Sequence, residues 1–423
     1  MSSVCTRLTI ERLGERGEGV ASTSDGLVFV PYVLAGETII AGIEGSRGIL
    51  AEVVEASPHR IAPHCPYFTD CGGCAVQTLA APAYGQWKRE LVVAALRRAG
   101  LSSPVLDLID AHGRGRRRAT FHVRYPKDRP AVGFMQSRAH KIVEIDSCPL
   151  LAPSLENALP AARAIGQALA AAKRPLDILV TATASGLDVD VKGHGPLEER
   201  QRKLLVRTAL EHDLARLTNH GEAILTQRVP LVAMGKAAVA LPPGAFLQAT
   251  EAGEEALAAR VCAQMAGAKQ IADLFSGIGT FALRLAEFAA VTAFELDPGA
   301  LSALAKGART APLRPVKVAR RDLFRQPLSP IELDDFDAVV YDPPRAGAES
   351  QVRVLAASSL PLIAGVSCNA KTFARDAAIL CGGGFELSYV QPIDQFRHTP
   401  HVEIIACFRR NRPHPQRKRP LLT

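Results

Sequence analysis

From about residue 246 the chain alternates apolar runs with amphipathic ones. Gln270 to Phe275, Val291 to Leu296, Ala338-Val339-Val340-Tyr341 and Leu362 to Val366 carry the strand signal, and Phe281 to Phe288 is spaced as a helix. Near-continuous apolar strands separated by helices predict a parallel sheet covered on both faces. The last two runs, Phe385 to Val390 and Val402 to Phe408, predict an antiparallel pair. That pair puts the 391–401 loop beside the carboxyl ends of the parallel strands, where open α/β sheets hold ligands.

The first 56 residues follow a different rhythm. Short β-rich runs (Cys5 to Ile10, Leu27 to Pro31, Thr38 to Ala41, Ile49 to Val54) are separated by glycine turns, the pattern of a small β-barrel. Pro58 to Pro66 breaks it. Trp87, Leu91, Val92, Ala95 and Leu96 then recur at helical spacing within Tyr84 to Ala99, and Gly100 closes the helix. Between about 104 and 245 the signals mix. Phe121 to Tyr125, Ile142 to Ile145 and Leu187 to Val191 read as strands, and 153–173 as an alanine-rich helix. The expected architecture is therefore multidomain α/β: a barrel over 1–56, an α+β central domain over 57–245 and a parallel-sheet domain over 246–423. The helix near 82–100 is a candidate to pack on the last of these.

A chain of 423 residues has ample material for several cores. Its net charge of +8, with basic concentrations at Arg114 to Arg118 and Arg409 to Arg419, suits a polyanionic partner. No apolar run is long enough for a membrane span, and no secretory leader pattern is present, so a cytoplasmic protein without a membrane partner is expected. Nine scattered cysteines do not form the framework of a small secreted fold.

Three constellations carry chemistry. Asp273 to Thr280 includes Gly277-Ile278-Gly279-Thr280-Phe281-Ala282, a glycine turn between strand and helix that lets backbone approach a ligand. Glu295, at the end of the next strand, is placed to hold ribose hydroxyls. A dinucleotide enzyme satisfies the same pattern. Asp342-Pro343-Pro344-Arg345, a rigid turn at another strand end, favours a methyl donor instead. Second, Cys65-x5-Cys71-x2-Cys74 with the distant Cys148 offers four thiolates, a complement that suits iron–sulfur or zinc on spacing alone. Third, Cys368 in Ser367-Cys368-Asn369 sits between a strand and a helix whose first-turn amides favour a thiolate. Glu403 follows on a strand near His398 and His401. A thiol that adds to an electron-poor ring and a carboxylate that later removes a proton are the two halves of covalent methylation at a pyrimidine carbon.

These motifs, with Phe246-Leu247-Gln248 and Ala374-Arg375-Asp376, resemble the RNA uracil-5 methyltransferase family, in particular its iron–sulfur branch acting on large-subunit ribosomal RNA. The resemblance covers most of the chain. It implies an N-terminal TRAM-like barrel that binds RNA, a central domain holding a [4Fe-4S] cluster on Cys65, Cys71, Cys74 and Cys148, and a C-terminal Rossmann-like class I methyltransferase domain. It further implies Cys368 as nucleophile and Glu403 as general base. Gln248, Phe275, Thr280, Glu295, Asp322 and Asp342 would contact S-adenosylmethionine. The chain departs from the family pattern at Thr250, Ser276, Thr280, Asp322 and Ala370, which bears on donor contacts and leaves nucleophile and base untouched. The implied partner of a monomeric enzyme is 23S rRNA, with transfer RNA as the alternative. A DNA cytosine-C5 enzyme would carry its nucleophile in a Pro-Cys pair, where this chain has Asp342-Pro343-Pro344. A noncatalytic RNA-binding scaffold would leave Cys368 and Glu403 idle.

Overall fold

The computed structural model describes residues 5–126, 129–137, 139 and 141–410. The basic tail beyond Arg410 lies outside the described residues.

Residues 5–55 form a six-stranded sheet in the order Cys5–Thr9, Thr38–Glu44, Arg47–Glu55, Gly26–Val30, Gly19–Thr23, Arg12–Leu13. The two edge strands are consecutive in the chain and joined only by Ile10 and Glu11, so the sheet must curl upon itself. Its apolar side encloses Leu8, Ile10, Val28, Val30, Val33 and Ile39.

A second sheet of seven strands runs through residues 118–226 and is backed by helices Ala158–Ala168 and Glu199–Glu211. Phe121, Ile165, Ile178, Val189 and Leu205 fill its core. The alternation in Leu187-Asp188-Val189-Asp190-Val191 predicts one wet face, yet every residue is buried. Arg216 pairs bidentately with Asp188 at 2.7 and 2.8 Å, and Asp190 accepts from Thr218 and Gly221. Polar partners supplied by a later strand make that burial tolerable.

The third large sheet has eight strands in the order Val316–Arg320, Ala290–Glu295, Gln270–Leu274, Ala338–Tyr341, Leu362–Ser367, Glu403–Arg409, Glu386–Asp394 and Ile109–Asp110. The first five are parallel, and Glu403–Arg409 runs antiparallel between Leu362–Ser367 and Glu386–Asp394. Apolar layers cover both faces. Three pieces of the 57–245 stretch belong to this assembly. Helix Ala81–Arg98 contributes Val92, Ala95 and Leu96 to one layer, the hairpin Leu231–Met234/Ala237–Ala240 contributes Val232, Met234 and Val239 to the other, and Ile109–Asp110 adds the edge strand. The break between central and C-terminal parts is thus not a single point near residue 245. Local periodicity reports which face is buried, not which sheet buries it.

Candidate active site

The strand order places the chemistry. Reading across the sheet, the C-terminal ends of the parallel strands present Asp322, Glu295, Phe275, Asp342 and Cys368 in turn. The antiparallel neighbour begins with Glu403 at that same edge, because Ser367 pairs with Ile404. Six expected site residues therefore share one rim. The sequence order reverses beside Gln270–Leu274, so the glycine turn opens at the switch point of the sheet.

Backbone strain marks that turn. Phe275 has φ +62°, Gly277 +54° and Gly279 +101°. A Cβ on Gly279 would stand 2.9 Å from Leu304 and 3.0 Å from Leu283, whereas one on Gly277 would meet nothing within 4 Å. Gly279 serves close packing, and Gly277 faces open space. Glu295 is held in place by three amides: Oε2 accepts from Gly277 at 3.0 Å, and Oε1 from Leu296 and Asp297. Asp322 accepts from the amides of Phe324 and Arg325, which sets Phe324 against Phe275 at 5.4 Å.

Asp273 is the unusual group. It is completely buried, both carboxyl oxygens lack a well-formed protein hydrogen bond, and Ser276 Oγ is likewise unpartnered. Burial pushes its carboxyl well above the ordinary range, opposed mainly by the Ala282 amide. Unpaired polar atoms under an open glycine turn fit a polar ligand seated there.

Around Cys368 the rim becomes a closed polar chain. Gln248 Nε2 donates to Asp342 Oδ2 at 3.4 Å; Gln395 Nε2 donates to Gln248 Oε1 at 2.5 Å and to Glu403 Oε1 at 3.1 Å. Burial, reinforced by the negative charge of Asp342, raises the Glu403 carboxyl to about 8, and burial raises Asp342 to about 7. The Cys368 thiol is pushed up to about 11 by burial and by Glu403 and Asp342, with Arg345 pulling the other way. The expected thiolate-favouring helix end is not what dominates: Asn369 Oδ1 accepts from the Lys371 and Thr372 amides of helix Ala370–Gly382, occupying those donors. Gln395 was not among the residues expected from the sequence; its only signal was proximity to Glu403.

Two buried ionic clusters brace this rim. Arg117 donates to the Gln248 carbonyl and to Glu254, while Arg284 joins Glu254 to the Thr280 carbonyl at 2.8 Å each. Arg117 is therefore committed to the core, and the expected phosphate-binding run retains only its neighbours: exposed Arg114, Arg116 over the Phe396 ring, and Arg118 over Phe246. On the other side Lys88, fully buried, donates to Asp394 at 2.8 Å and to the carbonyls of Phe396 and His401. Tyr84 donates to Asp394 and accepts from the His398 amide. Helix Ala81–Arg98 thus clamps the loop that delivers Glu403.

The four remaining expected cysteines line one cavity of about 510 Å³ together with Gln77 and Arg116. All four are free thiols. Burial raises Cys71, Cys74 and Cys148, with Cys74 reaching about 11, and neighbouring thiols of the set push each higher. Among the described residues no group of three or more His, Cys, Asp or Glu stands at metal-holding geometry. The donor set is right for a soft metal centre, and mutual repulsion is what a bound cation would relieve. No helix among the described residues is long and apolar enough to cross a membrane.

A groove of about 900 Å³ runs from the curled sheet to the 396–401 loop, lined by Arg16, Tyr32, Arg47, Arg116, Phe396 and His401 among others. Its cationic and aromatic wall suits a single nucleic-acid strand.

Comparison with known proteins agrees with this geometry. The tRNA (Uracil-5-)-methyltransferase family model matches residues 244–410. An uncharacterized RNA methyltransferase of Brucella suis is 44% identical over 97% of this chain and 99% of its own length. The 23S rRNA (uracil(1939)-C(5))-methyltransferase RlmD of Chromohalobacter salexigens is 34% identical over 96% of this chain and 90% of its own. The crystal structure of Pyrococcus abyssi tRNA (uracil-54, C5)-methyltransferase with S-adenosyl-L-homocysteine shares the fold, at TM-score 0.71 and 21% identity over 95% of this chain and 100% of that one. The chain belongs to the RNA uracil-5 methyltransferase family, whose members are S-adenosylmethionine-dependent RNA (uracil-C5) methyltransferases.

Proposed function

We infer that the protein methylates C5 of a uridine in 23S rRNA through a covalent adduct on Cys368. The observation that carries this is the pairing of Ser367 with Ile404, which sets the thiol and the Glu403 carboxylate on neighbouring strand ends, beside Asp342. In this reading the Cys368 thiol gives its proton to solvent, Sγ bonds to C6 of the ring, and the displaced C5–C6 electron pair moves onto C5 and O4. Bound S-adenosylmethionine supplies an electrophilic methyl group on a sulfonium. C5 would bond to that methyl as its bond to the sulfonium breaks, leaving a neutral thioether; Glu403 removes the C5 proton, and the Sγ–C6 bond breaks to restore the C5–C6 double bond and free the cysteine as thiolate. Splitting the reaction this way makes a weak carbon nucleophile competent.

Gln248, Phe275, Thr280, Glu295, Asp322 and Asp342 would hold the donor. The orphaned Asp273 and Ser276 supply further polar contacts. The uridine must be unpaired or flipped to reach the rim. The TRAM-like sheet and the arginine-lined groove would hold phosphates without reading sequence. Cys65, Cys71, Cys74 and Cys148, which line one cavity, would bind a [4Fe-4S] cluster as a closed, structural centre. One chain contains all of these groups, so a monomer suffices.

The test is incubation with labelled donor and RNA from a strain lacking the gene, followed by mass spectrometry of nucleosides and mapping of modified positions. Methylated uridine in 23S rRNA is expected; modification confined to transfer RNA moves the substrate, and none in either sinks the activity. Anaerobically purified protein should be brown, absorbing near about 400 nm. A colourless protein with one zinc would replace the cluster with a zinc site.

A further inference from the structure

We propose that Gln395 is a positioning residue for the proton-accepting carboxylate: its amide, oriented by a single backbone N–H, selects which oxygen of Glu403 is left to meet the target base. The inference rests on the reading of Glu403 as general base. Gln395 follows strand Glu386–Asp394 and is fully buried. Its Oε1 accepts from the Thr250 amide at 3.3 Å, which turns its Nε2 toward Glu403 Oε1 and Gln248 Oε1.

A flipped amide would set NH₂ against the Thr250 N–H and an oxygen against two acceptors, so one orientation satisfies every group. Gln248 is oriented in turn: with Oε1 receiving from Gln395, its Nε2 is the end that reaches Asp342. Thr250, at the start of helix Glu251–Gln264, thereby sets the direction of a chain that ends on two carboxylates. Packing reinforces it, since a Cβ on Gly253 would lie 2.7 Å from Gln395 Oε1 and 2.8 Å from its Cβ.

Two consequences follow for catalysis. Glu403 Oε1 is engaged as an acceptor, which leaves Oε2 as the oxygen that takes the C5 proton. The donated N–H also favours the ionised carboxylate against burial and against Asp342, with Lys88 and Arg345 acting in the same sense from the clamp and the rim. Gln395 keeps the base usable near neutral pH.

Two variants of the full-length protein test this. Gln395→Leu removes the amide; Gln395→Glu keeps the length and an acceptor for the Thr250 N–H while replacing the donor. Methylation of bulk RNA from a deletion strain is measured against pH, together with the KM for S-adenosylmethionine and the fraction of protein trapped on RNA in a denaturing gel. The acid limb of the rate profile should move about one pH unit toward alkaline, because an ionised-state donor is lost. Trapped adduct should rise, because proton removal is slowed; a donor KM that rises through the loosened Gln248 while the acid limb stays in place would instead overturn the role at Glu403. An unmoved acid limb in a folded variant overturns the proposal, and Gln395→Glu decides if the leucine variant fails to fold. Glu403→Gln in parallel separates the two levels: without adduct there, the base assignment itself fails; with adduct there and an unmoved limb in the Gln395 variants, only the role of Gln395 does.

Discussion

Cys368 and Cys74 are pushed in the same direction, chiefly by burial, but among different neighbours. Cys368 is raised to about 11 by burial and by two carboxyl groups that are themselves tied into a hydrogen-bonded chain. Cys74 reaches about 11 through burial and through the neighbouring thiols of its own cavity. At the rim, Asp342 and Glu403 are linked through Gln248 and Gln395, so the neighbours that raise Cys368 are hydrogen-bonded carboxyl groups. In the cysteine cavity the neighbours are the other thiols of the set, and in the proposed reading a bound cation would relieve them. Equal shifts do not by themselves distinguish the two places; their neighbours do, and under the proposed function they separate a reactive thiol from a ligand set.

The sharpest way to break this comparison is at the reactive thiol. Cys368→Ala should lower methyl incorporation from labelled donor by about 10⁴-fold or more, because the adduct route is closed. Its thermal transition should stay near that of the parent. Full activity in this variant would remove the distinction between the two thiol groups. Glu403→Gln should cost roughly 10²–10⁴-fold in turnover while accumulating a protein–RNA adduct that survives denaturing electrophoresis.

The loop carrying the base also touches the other region. Ala75 and Val76, next to Cys74, donate to the His398 carbonyl, and Lys88 holds the loop from the opposite side. Lys88→Met leaves Asp394 buried without its cation and should destabilise the fold by about 3–5 kcal/mol, read by denaturant unfolding. A variant of parent stability would mean the clamp contributes nothing. Cys74→Ser, by contrast, should remove the metal and absorbance expected of the proposed cluster while sparing adduct formation at Cys368, measured by metal analysis and by denaturing electrophoresis with RNA.

The smallest effect concerns pH. In the proposed reaction Glu403 must be ionised to accept a proton, and burial lifts its carboxyl to about 8. Turnover should therefore rise about tenfold per pH unit below that value and level off above it. A rate already flat from pH 6 would show that proton removal by Glu403 does not limit turnover.

Much of the rim was legible in the chain. Apolar runs ending in Glu295, Asp342 and Cys368 predict strands whose last residues face a ligand, and the antiparallel return predicts Glu403 at the same edge. The barrel-like start was legible as strands, and the curl became evident from which strands lie at the edges. Arg117 looked like a phosphate contact because charge runs read as surface; its burial against Glu254 depends on a helix that follows much later. Cys368 looked activated because it precedes a helix, and Asn369 turned out to take those amides. Gln395 had no distinguishing local pattern at all.

What the sequence determined by itself was the kind of element at each position and the residue type at each strand end, since periodicity and turn chemistry act over a few neighbouring residues. Tertiary structure alone decided the partners: Gln248 with Gln395, Arg117 with Glu254, Lys88 with Asp394. Each pair joins segments more than a hundred residues apart. A buried polar group must find a hydrogen bond somewhere, but nothing in its local sequence says where, because that choice belongs to the packing of whole elements.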